Sequence, residues 1–143
     1  MEWVGLPNKI EDYESFVYLI TNTLDGRKYV GKKVFWSNRK LKPLKGYKRK
    51  RKVKVKSDYE TYYGSSNSLN EDVRKYGEDK FKREILHLCK TRFDASYMEL
   101  YEQIQRGVLF DDNYYNGFIG VKLNKRSSKY SSLPSKYKHL NTK

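Results

Sequence analysis

The sequence is poor in the residues that build most metal centres and nucleophilic active sites. It contains one cysteine, Cys89, and two histidines, His87 and His139, among 143 residues. One cysteine excludes an internal disulfide and a cysteine-based zinc finger. The scarcity of histidine, with no HxH or HxxxH pair, argues against Ser-His-Asp and Cys-His hydrolases. A catalytic metal would therefore rest mainly on carboxylate and water, which suits Mg²⁺ or Mn²⁺ better than zinc.

Acidic residues are also few relative to basic ones. The chain has 31 Lys plus Arg against 17 Asp plus Glu, a formal net charge of +14. Such an excess favours a polyanionic partner, and nucleic acid is the commonest one. The alternative is a basic protein whose charge serves only its solubility.

Long apolar segments and nucleotide-binding motifs are missing. The apolar runs at 16–20 and 85–89 are too short to span a bilayer, so no membrane partner is expected. The first residues lack the charged and apolar regions of a signal peptide, which indicates an intracellular protein that is not secreted. Neither GxxxxGK[ST] nor GxGxxG occurs, so no nucleotide cofactor is expected. The sequence does not indicate the oligomeric state.

A β-hairpin is the clearest local prediction. Residues 16–21 are mostly β-branched or aromatic, and both their odd-numbered and their even-numbered positions are apolar. This pattern is typical of a central strand that is buried on both faces. Asp25-Gly26 suits a turn with positive φ, and residues 27–33 then form the returning strand.

A basic insertion follows the hairpin. Eleven Lys or Arg residues lie between Arg39 and Lys56 without a single acid, and Pro43 and Gly46 break any helix. The alternation Val53-Lys-Val55-Lys56 indicates a short strand or a ribbon arm. Because like charges repel, we expect order only on DNA or against acidic neighbours. A solvated charge run is the alternative.

Two helices are predicted from capping boxes. Ser68 with Glu71 opens the first helix, which Gly77 ends. Residues 81–89 form a third strand. Ser96 with Glu99 opens the second helix. Its predicted apolar face consists of Tyr97, Leu100, Tyr101, Ile104 and Val108. The tail from Lys122 is basic and serine-rich, which indicates a flexible arm.

The fold class is therefore a small α/β domain with a three-stranded antiparallel sheet flanked by helices. A basic insertion follows its first hairpin. We assign 12–119 to this domain, 40–63 to the insertion and 120–143 to the tail. The length suits one domain with a single core.

Five sequence elements together resemble the GIY-YIG nuclease superfamily. Two triplets, Val17-Tyr18-Leu19 and Tyr29-Val30-Gly31, match the triplets of its hairpin. Arg39 follows them, Glu102-Gln103 lies on the late helix, and Tyr115-Asn116 closes the core. The stretch from Tyr63-Gly-Ser to Glu84-Ile-Leu also resembles phage and mobile-element endonucleases. This resemblance covers residues 16–118 and implies a small nuclease fold.

The resemblance also implies catalytic roles. One hairpin tyrosine orients or deprotonates the attacking water and the other touches phosphate, but the sequence does not say which of Tyr18 and Tyr29 does which. Arg39 would bind non-bridging phosphate oxygens. Glu102 would hold a single Mg²⁺, with Glu99 as the competing ligand. Asn116 would donate a hydrogen bond that steadies the site.

Each candidate has a structural alternative as well. The tyrosines could be sheet aromatics, Arg39 one more basic residue of the insertion, Glu102 a solvated glutamate and Asn116 part of a turn. The expected DNA-binding residues are Lys32, Lys33, Lys45, Lys48, Arg49, Lys50, Arg51, Lys52, Lys54 and Lys56.

The implied activity is metal-dependent cleavage of double-stranded DNA in a homing-like or phage host-DNA-degrading role. A restriction-type enzyme and a non-catalytic nucleic-acid-binding protein are the alternatives. If the protein is phage-encoded, it would act in the cytoplasm of a bacterial host.

Overall fold

A computed structural model describes residues 2–139, so the last four residues of the predicted tail lie outside the described residues. The strands are β1 (Trp3–Val4), β2 (Ser15–Asn22), β3 (Lys28–Val34), β4 (Trp36–Leu41), β5 (Arg51–Lys56) and β6 (Phe81–Cys89). The helices are α1 (Asn67–Tyr76), α2 (Arg92–Gln105), α3 (Lys125–Ser128) and α4 (Ser135–Lys138). Short 3₁₀ turns occur at Ile10–Asp12, Tyr59–Thr61, Glu78–Lys80 and Val108–Phe110.

The sheet has four strands in the order β1-β6-β2-β3. Strand β2 pairs antiparallel with both β3 and β6, which confirms the predicted hairpin and third strand. Strand β1 was not predicted. Its two residues pair parallel with β6, and they are too few to show an apolar period. Trp3 fixes this strand, since its indole Nε1–H donates to the Tyr59 carbonyl at 2.7 Å.

Strand β2 supplies both faces of the core, as its apolar pattern predicts. Phe16, Tyr18 and Ile20 pack into one cluster. Val17 and Leu19 pack into a second cluster, on the face that α2 covers with Ala95 and Met98. Successive side chains of a strand point to opposite faces, so a strand buried on both faces is apolar at every position.

Both helices begin earlier than predicted, and both predicted capping boxes are wrong. Helix α1 is capped by Ser66, whose Oγ accepts from the Leu69 N–H at 3.3 Å, while Ser68 lies inside the helix. Its predicted end at Gly77 is confirmed. Helix α2 is capped by Thr91, whose Oγ1 accepts from the Asp94 N–H at 3.0 Å. A Ser-x-x-Glu sequence does not cap a helix when the hydroxyl of an earlier residue accepts the hydrogen bond from an unpaired N–H of the first turn. The helix then begins before the serine.

The predicted apolar face of α2 is confirmed in part, since Tyr97 and Tyr101 pack against the second core cluster and Val108, just beyond the helix, is buried within it. The residues buried along this helix are Asp94, Ala95, Met98 and Gln103. Ile104, predicted to be in the core, is 61% exposed. The helix packs its 95 and 98 positions against β2 and β3, and this phase turns Glu99 away from bulk solvent.

The basic insertion forms a two-stranded antiparallel ribbon, β4–β5, separate from the main sheet. Acidic neighbours support it, as expected. The Lys54 ammonium lies 3.2 Å from Glu14, and that of Lys56 lies 3.6 Å from Glu60. The connecting loop, residues 42–50, is largely exposed and carries much of the positive charge.

Residues 132–137 of the tail pack on α2, so the prediction of a free arm is wrong there. The Ser132 N–H and hydroxyl both donate to Asp94 Oδ2 at 3.0 Å. The Tyr97 hydroxyl donates to the Tyr137 carbonyl at 2.9 Å.

No helix within residues 2–139 has the length and apolarity needed to cross a bilayer.

Candidate active site

A cavity of about 690 Å³ opens beside the edge strand β3. Helix α1 contributes its N-terminus to one wall, α2 contributes a second wall, and the segment after Tyr115 forms the rim. The lining residues are Tyr18, Tyr29, Lys32, Ser65, Ser66, Asn67, Ser68, Glu71, Glu99, Gln103, Tyr115, Asn116, Gly117, Phe118 and Gly120. The cavity therefore contains both hairpin tyrosines, two carboxylates and one lysine.

The two hairpin tyrosines occupy different environments. Tyr18 is 1% exposed, and its ring centroid lies 6.2 Å from that of Tyr29. Burial, with Tyr62 and Tyr29 close by, raises the pKa of the Tyr18 phenol well above its usual value. Tyr29 is half-buried, and its hydroxyl shares a 3.0 Å hydrogen bond with Ser65 Oγ. Tyr29 is thus the tyrosine whose hydroxyl a substrate can reach.

The environment keeps Tyr29 protonated in the protein alone. Burial raises the pKa of its phenol, the hydrogen bond with Ser65 opposes this, and the nearby charge of Glu99 raises the pKa further. A phenolate at this position needs an added cation or a proton acceptor.

Two glycines let the tyrosine rings approach the backbone. Gly31 lies opposite Tyr18 in the β2–β3 pairing. A Cβ on Gly31 would overlap the Tyr18 hydroxyl and come within 2.9 Å of the Tyr29 ring. Gly64 has φ +84°, and a Cβ there would lie 3.3 Å from the Tyr29 ring. The glycine of the Tyr29-Val-Gly31 triplet is therefore required by the packing of both rings.

Glu99 is the half-buried carboxylate of the cavity. Desolvation raises its pKa, while the ammonium and backbone N–H of Lys32 lower it in part. Lys32 also donates to Ser96 Oγ at 2.6 Å. Among the described residues that line the cavity, Lys32 is the only lysine or arginine. Glu71, at the start of α1, supplies a second and more exposed carboxylate.

Glu102, the predicted metal ligand, is not among the residues that line the cavity. One of its oxygens lies 2.8 Å from His87 Nε2, and the other accepts from Arg106 Nε at 3.0 Å. Neither His87 nor Arg106 is among the described residues that line the cavity. The structure thus does not bring Glu102 together with Tyr18 and Tyr29.

Asn116 and Gln103 hold the open edge of β3. Asn116 Oδ1 accepts from the Val30 N–H at 3.0 Å, and its Nδ2 donates to the Val30 carbonyl at 2.8 Å. Gln103 Nε2 donates to the same carbonyl at 3.3 Å. These bonds satisfy backbone groups that an edge strand would leave unpaired, and they fix the strand that carries Tyr29.

Arg39 and Lys33 lie outside the cavity. Arg39 is exposed on β4, opposite Val53 in the ribbon. Lys33 pairs with Asp58 at 2.5 Å, and its ammonium lies 4.1 Å from the centre of the Tyr62 ring. Neither is among the described residues that line the cavity with Tyr29.

The remaining DNA-binding candidates all belong to the ribbon. Lys45, Lys48, Arg49 and Lys50 lie in its loop, and Arg51, Lys52, Lys54 and Lys56 lie on β5. A second cavity of about 880 Å³ lies here, but its described lining contains no carboxylate. It cannot hold a metal for hydrolysis with the residues present.

Three residues that line the cavity were not leading candidates from the sequence. Ser65, the partner of Tyr29, and Gln103 were not named as site residues. Each lay beside a recognised motif, in Tyr63-Gly-Ser65 and Glu102-Gln103. Glu99 was named only as a competitor, because its supposed capping role explained it.

The donor set of the cavity fits Mg²⁺ or Mn²⁺. No group of three or more His, Cys, Asp or Glu side chains able to hold a metal occurs within residues 2–139. The cavity offers Glu99 and Glu71 as carboxylates, and no described lining residue is a histidine or cysteine. Mg²⁺ is commonly bound by one or two carboxylates together with water and substrate phosphate, so a sparse oxygen site is adequate.

The chain is similar to a known family model and to a phage protein. Residues 4–119 match the family model described as "Putative endonuclease segE, GIY-YIG domain". The chain is 34% identical over 101 residues to the "Putative endonuclease segE" of Enterobacteria phage T4. That alignment covers 71% of this chain and 39% of the phage protein. No solved structure matches.

Proposed function

This chain belongs to the GIY-YIG family, and from that premise we propose that it is a metal-dependent endonuclease that hydrolyses double-stranded DNA. Its active site would be the cavity beside β3. One observation supports this most directly: an accessible tyrosine hydroxyl, Tyr29, and a half-buried carboxylate, Glu99, face the same cavity beside its lysine.

Tyr29 would handle the attacking water. Its hydroxyl is accessible and hydrogen-bonded to Ser65. Once a bound cation lowers its pKa, the phenol can release its proton to solvent, and the phenolate can then accept a proton from the attacking water. Tyr18 is buried beneath it and would act by holding the Tyr29 ring in place. The proposal thus gives the accessible and the buried tyrosine different roles.

Glu99, with Glu71 as a second donor, would hold Mg²⁺ or Mn²⁺. The ion supplies positive charge to the phosphate and the leaving oxygen when it is bound. Lys32 would bind a non-bridging phosphate oxygen, the role expected of Arg39. Lys32 also keeps Glu99 more ionised than burial alone would allow, which favours metal binding near neutral pH.

The β4–β5 ribbon would bind the DNA backbone away from the cut. Its loop and β5 carry exposed Lys and Arg, and its acidic contacts lie at Glu14 and Glu60 near its base. Each phosphate contact releases counterions, so this surface adds affinity that falls with salt. Arg39 would belong to this surface instead of the active site.

The similarity to a phage protein supports a homing-like or host-DNA-degrading role within a bacterial cell. Because the chain spans about 39% of that relative's length, any recognition role of the longer protein is not carried over. Sequencing the product ends would distinguish recurrent cutting at one site, as in homing or restriction, from degradation at many sites.

The activity can be tested on supercoiled plasmid with Mg²⁺, using EDTA as the control. Nicked circles should appear before linear DNA, because one cavity per chain cuts one strand per engagement. EDTA should abolish both products. A protein that shifts the plasmid in a gel but leaves it intact across Mg²⁺ and Mn²⁺ would be a non-catalytic DNA-binding protein.

A further inference from the structure

An exposed phenylalanine, Phe118, stands on the rim of the candidate active site. Its side chain is 80% exposed, and it is one of the residues that line the cavity. Single exposed apolar residues are common on protein surfaces, so exposure alone carries no function. The position of this ring beside Tyr29 and Lys32 is what requires an explanation.

The backbone on both sides of Phe118 is anchored. Asn116 is buried and makes two hydrogen bonds to Val30. Ile119 packs against the second core cluster, the one that contains Val17 and Met98. The ring between these anchors rests beside Gly120, where a Cβ would lie 3.5 Å from it. A fixed backbone therefore presents an aromatic ring to solvent at the cavity mouth.

The same chain contains a matched comparison. Phe110 is 95% exposed in the turn Val108–Phe110, but it does not line the cavity. The two side chains have the same chemistry and similar exposure, and they differ in their distance from the proposed chemistry. Any effect specific to Phe118 would therefore report on its position.

We propose that Phe118 inserts against a base step beside the scissile phosphate and unstacks it, so that it positions the DNA in the cavity. The inference rests on the proposed function in that this cavity receives DNA. Aromatic rings stack on bases of any sequence, and apolar wedges between base steps hold DNA in a bent form. Lys32 lies in the same cavity to bind the phosphate, so one side chain would engage phosphate and another a base.

The test combines cleavage with a reporter of base stacking. The plasmid fragment that wild-type protein binds most tightly in EDTA is prepared as short duplexes with 2-aminopurine at successive adenines. The proteins compared are wild type, Phe118→Ala, Phe118→Tyr and Phe110→Ala. Loss of one base–aromatic stack corresponds to roughly 5- to 150-fold, so Phe118→Ala should lose that much kcat/KM on the plasmid.

Wild type, Phe118→Tyr and Phe110→Ala should raise the fluorescence at one position on binding, and Phe118→Ala should not. All four proteins should melt at similar temperatures, because the ring is exposed. Equal cleavage and equal fluorescence for Phe118→Ala and Phe110→Ala would overturn the wedge while leaving the nuclease proposal intact. A fluorescence rise that depends on Phe118 without any cleavage would support the wedge and overturn the nuclease proposal. A wild-type protein that neither binds nor cuts would overturn both.

Discussion

Removing the hydroxyl of Tyr29 and of Tyr18, one at a time, should separate chemistry from packing. Tyr29→Phe deletes the 3.0 Å hydrogen bond with Ser65 at an exposed position. A hydrogen bond contributes about 1 kcal/mol net at most sites, and less is expected where water replaces the partner. The fold should therefore change little, with a melting temperature close to that of wild type.

Cleavage should respond far more strongly. Proton transfer by a positioned group contributes roughly 10²–10⁴ in rate, so Tyr29→Phe should lose at least about two decades of plasmid nicking. Tyr18→Phe should show the opposite balance. Its hydroxyl is buried with Tyr62 as a partner, so it should lose about 1 kcal/mol of stability and less than about one decade of cleavage.

Single-turnover nicking and urea denaturation of both variants would decide the matter. A Tyr29→Phe variant that cuts at the wild-type rate would refute the assignment of Tyr29. Full loss of cleavage in Tyr18→Phe, with stability unchanged, would show that the buried tyrosine reaches the substrate after all.

Three further outcomes follow from the structure. Gly31→Ala should lower the free energy of unfolding, measured by urea denaturation, by about 1–3 kcal/mol, because the added Cβ overlaps the Tyr18 hydroxyl. Gly117→Ala should leave it unchanged, because nothing lies near the added Cβ. Equal stabilities of the two variants would contradict the packing described. The slope of the logarithm of the DNA-binding constant against the logarithm of salt concentration should become less steep by about 3.6, near a hundredfold in affinity from roughly 50 to 200 mM, when serine replaces Lys45, Lys48, Lys50 and Lys52. Serine at four tail positions, Lys122, Lys125, Arg126 and Lys129, should change the slope less. An unchanged slope in the ribbon variant would exclude the ribbon from binding. The pKa of Glu99 is raised in the folded state, so ionisation of this carboxylate weakens the fold as pH rises. Glu99→Gln should therefore raise the melting temperature by about 2 °C at pH near 7.5 and leave it unchanged at pH near 4. The reverse pH dependence would contradict the burial of this carboxylate.

The fold was largely predictable because its main signals are local. Strand β2 is apolar at both its odd-numbered and its even-numbered positions, and it is buried on both faces. Asp25-Gly26 forms the predicted turn. The confirmed third strand continues from the Gly77 stop that ends α1. The two-residue β1 depends on a parallel pairing with β6, and such a distant contact leaves no local pattern.

The helix starts and the carboxylate of α2 that lines the cavity were less predictable, each for a local reason. Several hydroxyl residues precede each helix, and which one caps it depends on the preceding loop. Glu99 and Glu102 are three positions apart, about 60° around a helix, so a small error in phase exchanges their environments. The placement of Arg39 on β4 was not predictable either, since spacing along the chain cannot show that this residue lies in a ribbon.

The central claim is that the cavity around Tyr29 and Glu99 performs the cleavage, and the matched pair Glu99→Gln and Glu102→Gln tests it most directly. Both changes replace a carboxylate on the same helix with its amide isostere. Loss of a metal ligand removes several kcal/mol of charge stabilisation from the transition state, and each 1.36 kcal/mol corresponds to a tenfold change in rate. Glu99→Gln should therefore nick plasmid more than about a hundredfold more slowly than wild type. Glu102→Gln should cut within about threefold of wild type, because its carboxylate oxygens bond to His87 and Arg106, which do not line the cavity. Cleavage that survives in Glu99→Gln and disappears in Glu102→Gln, with both proteins folded, would contradict the account.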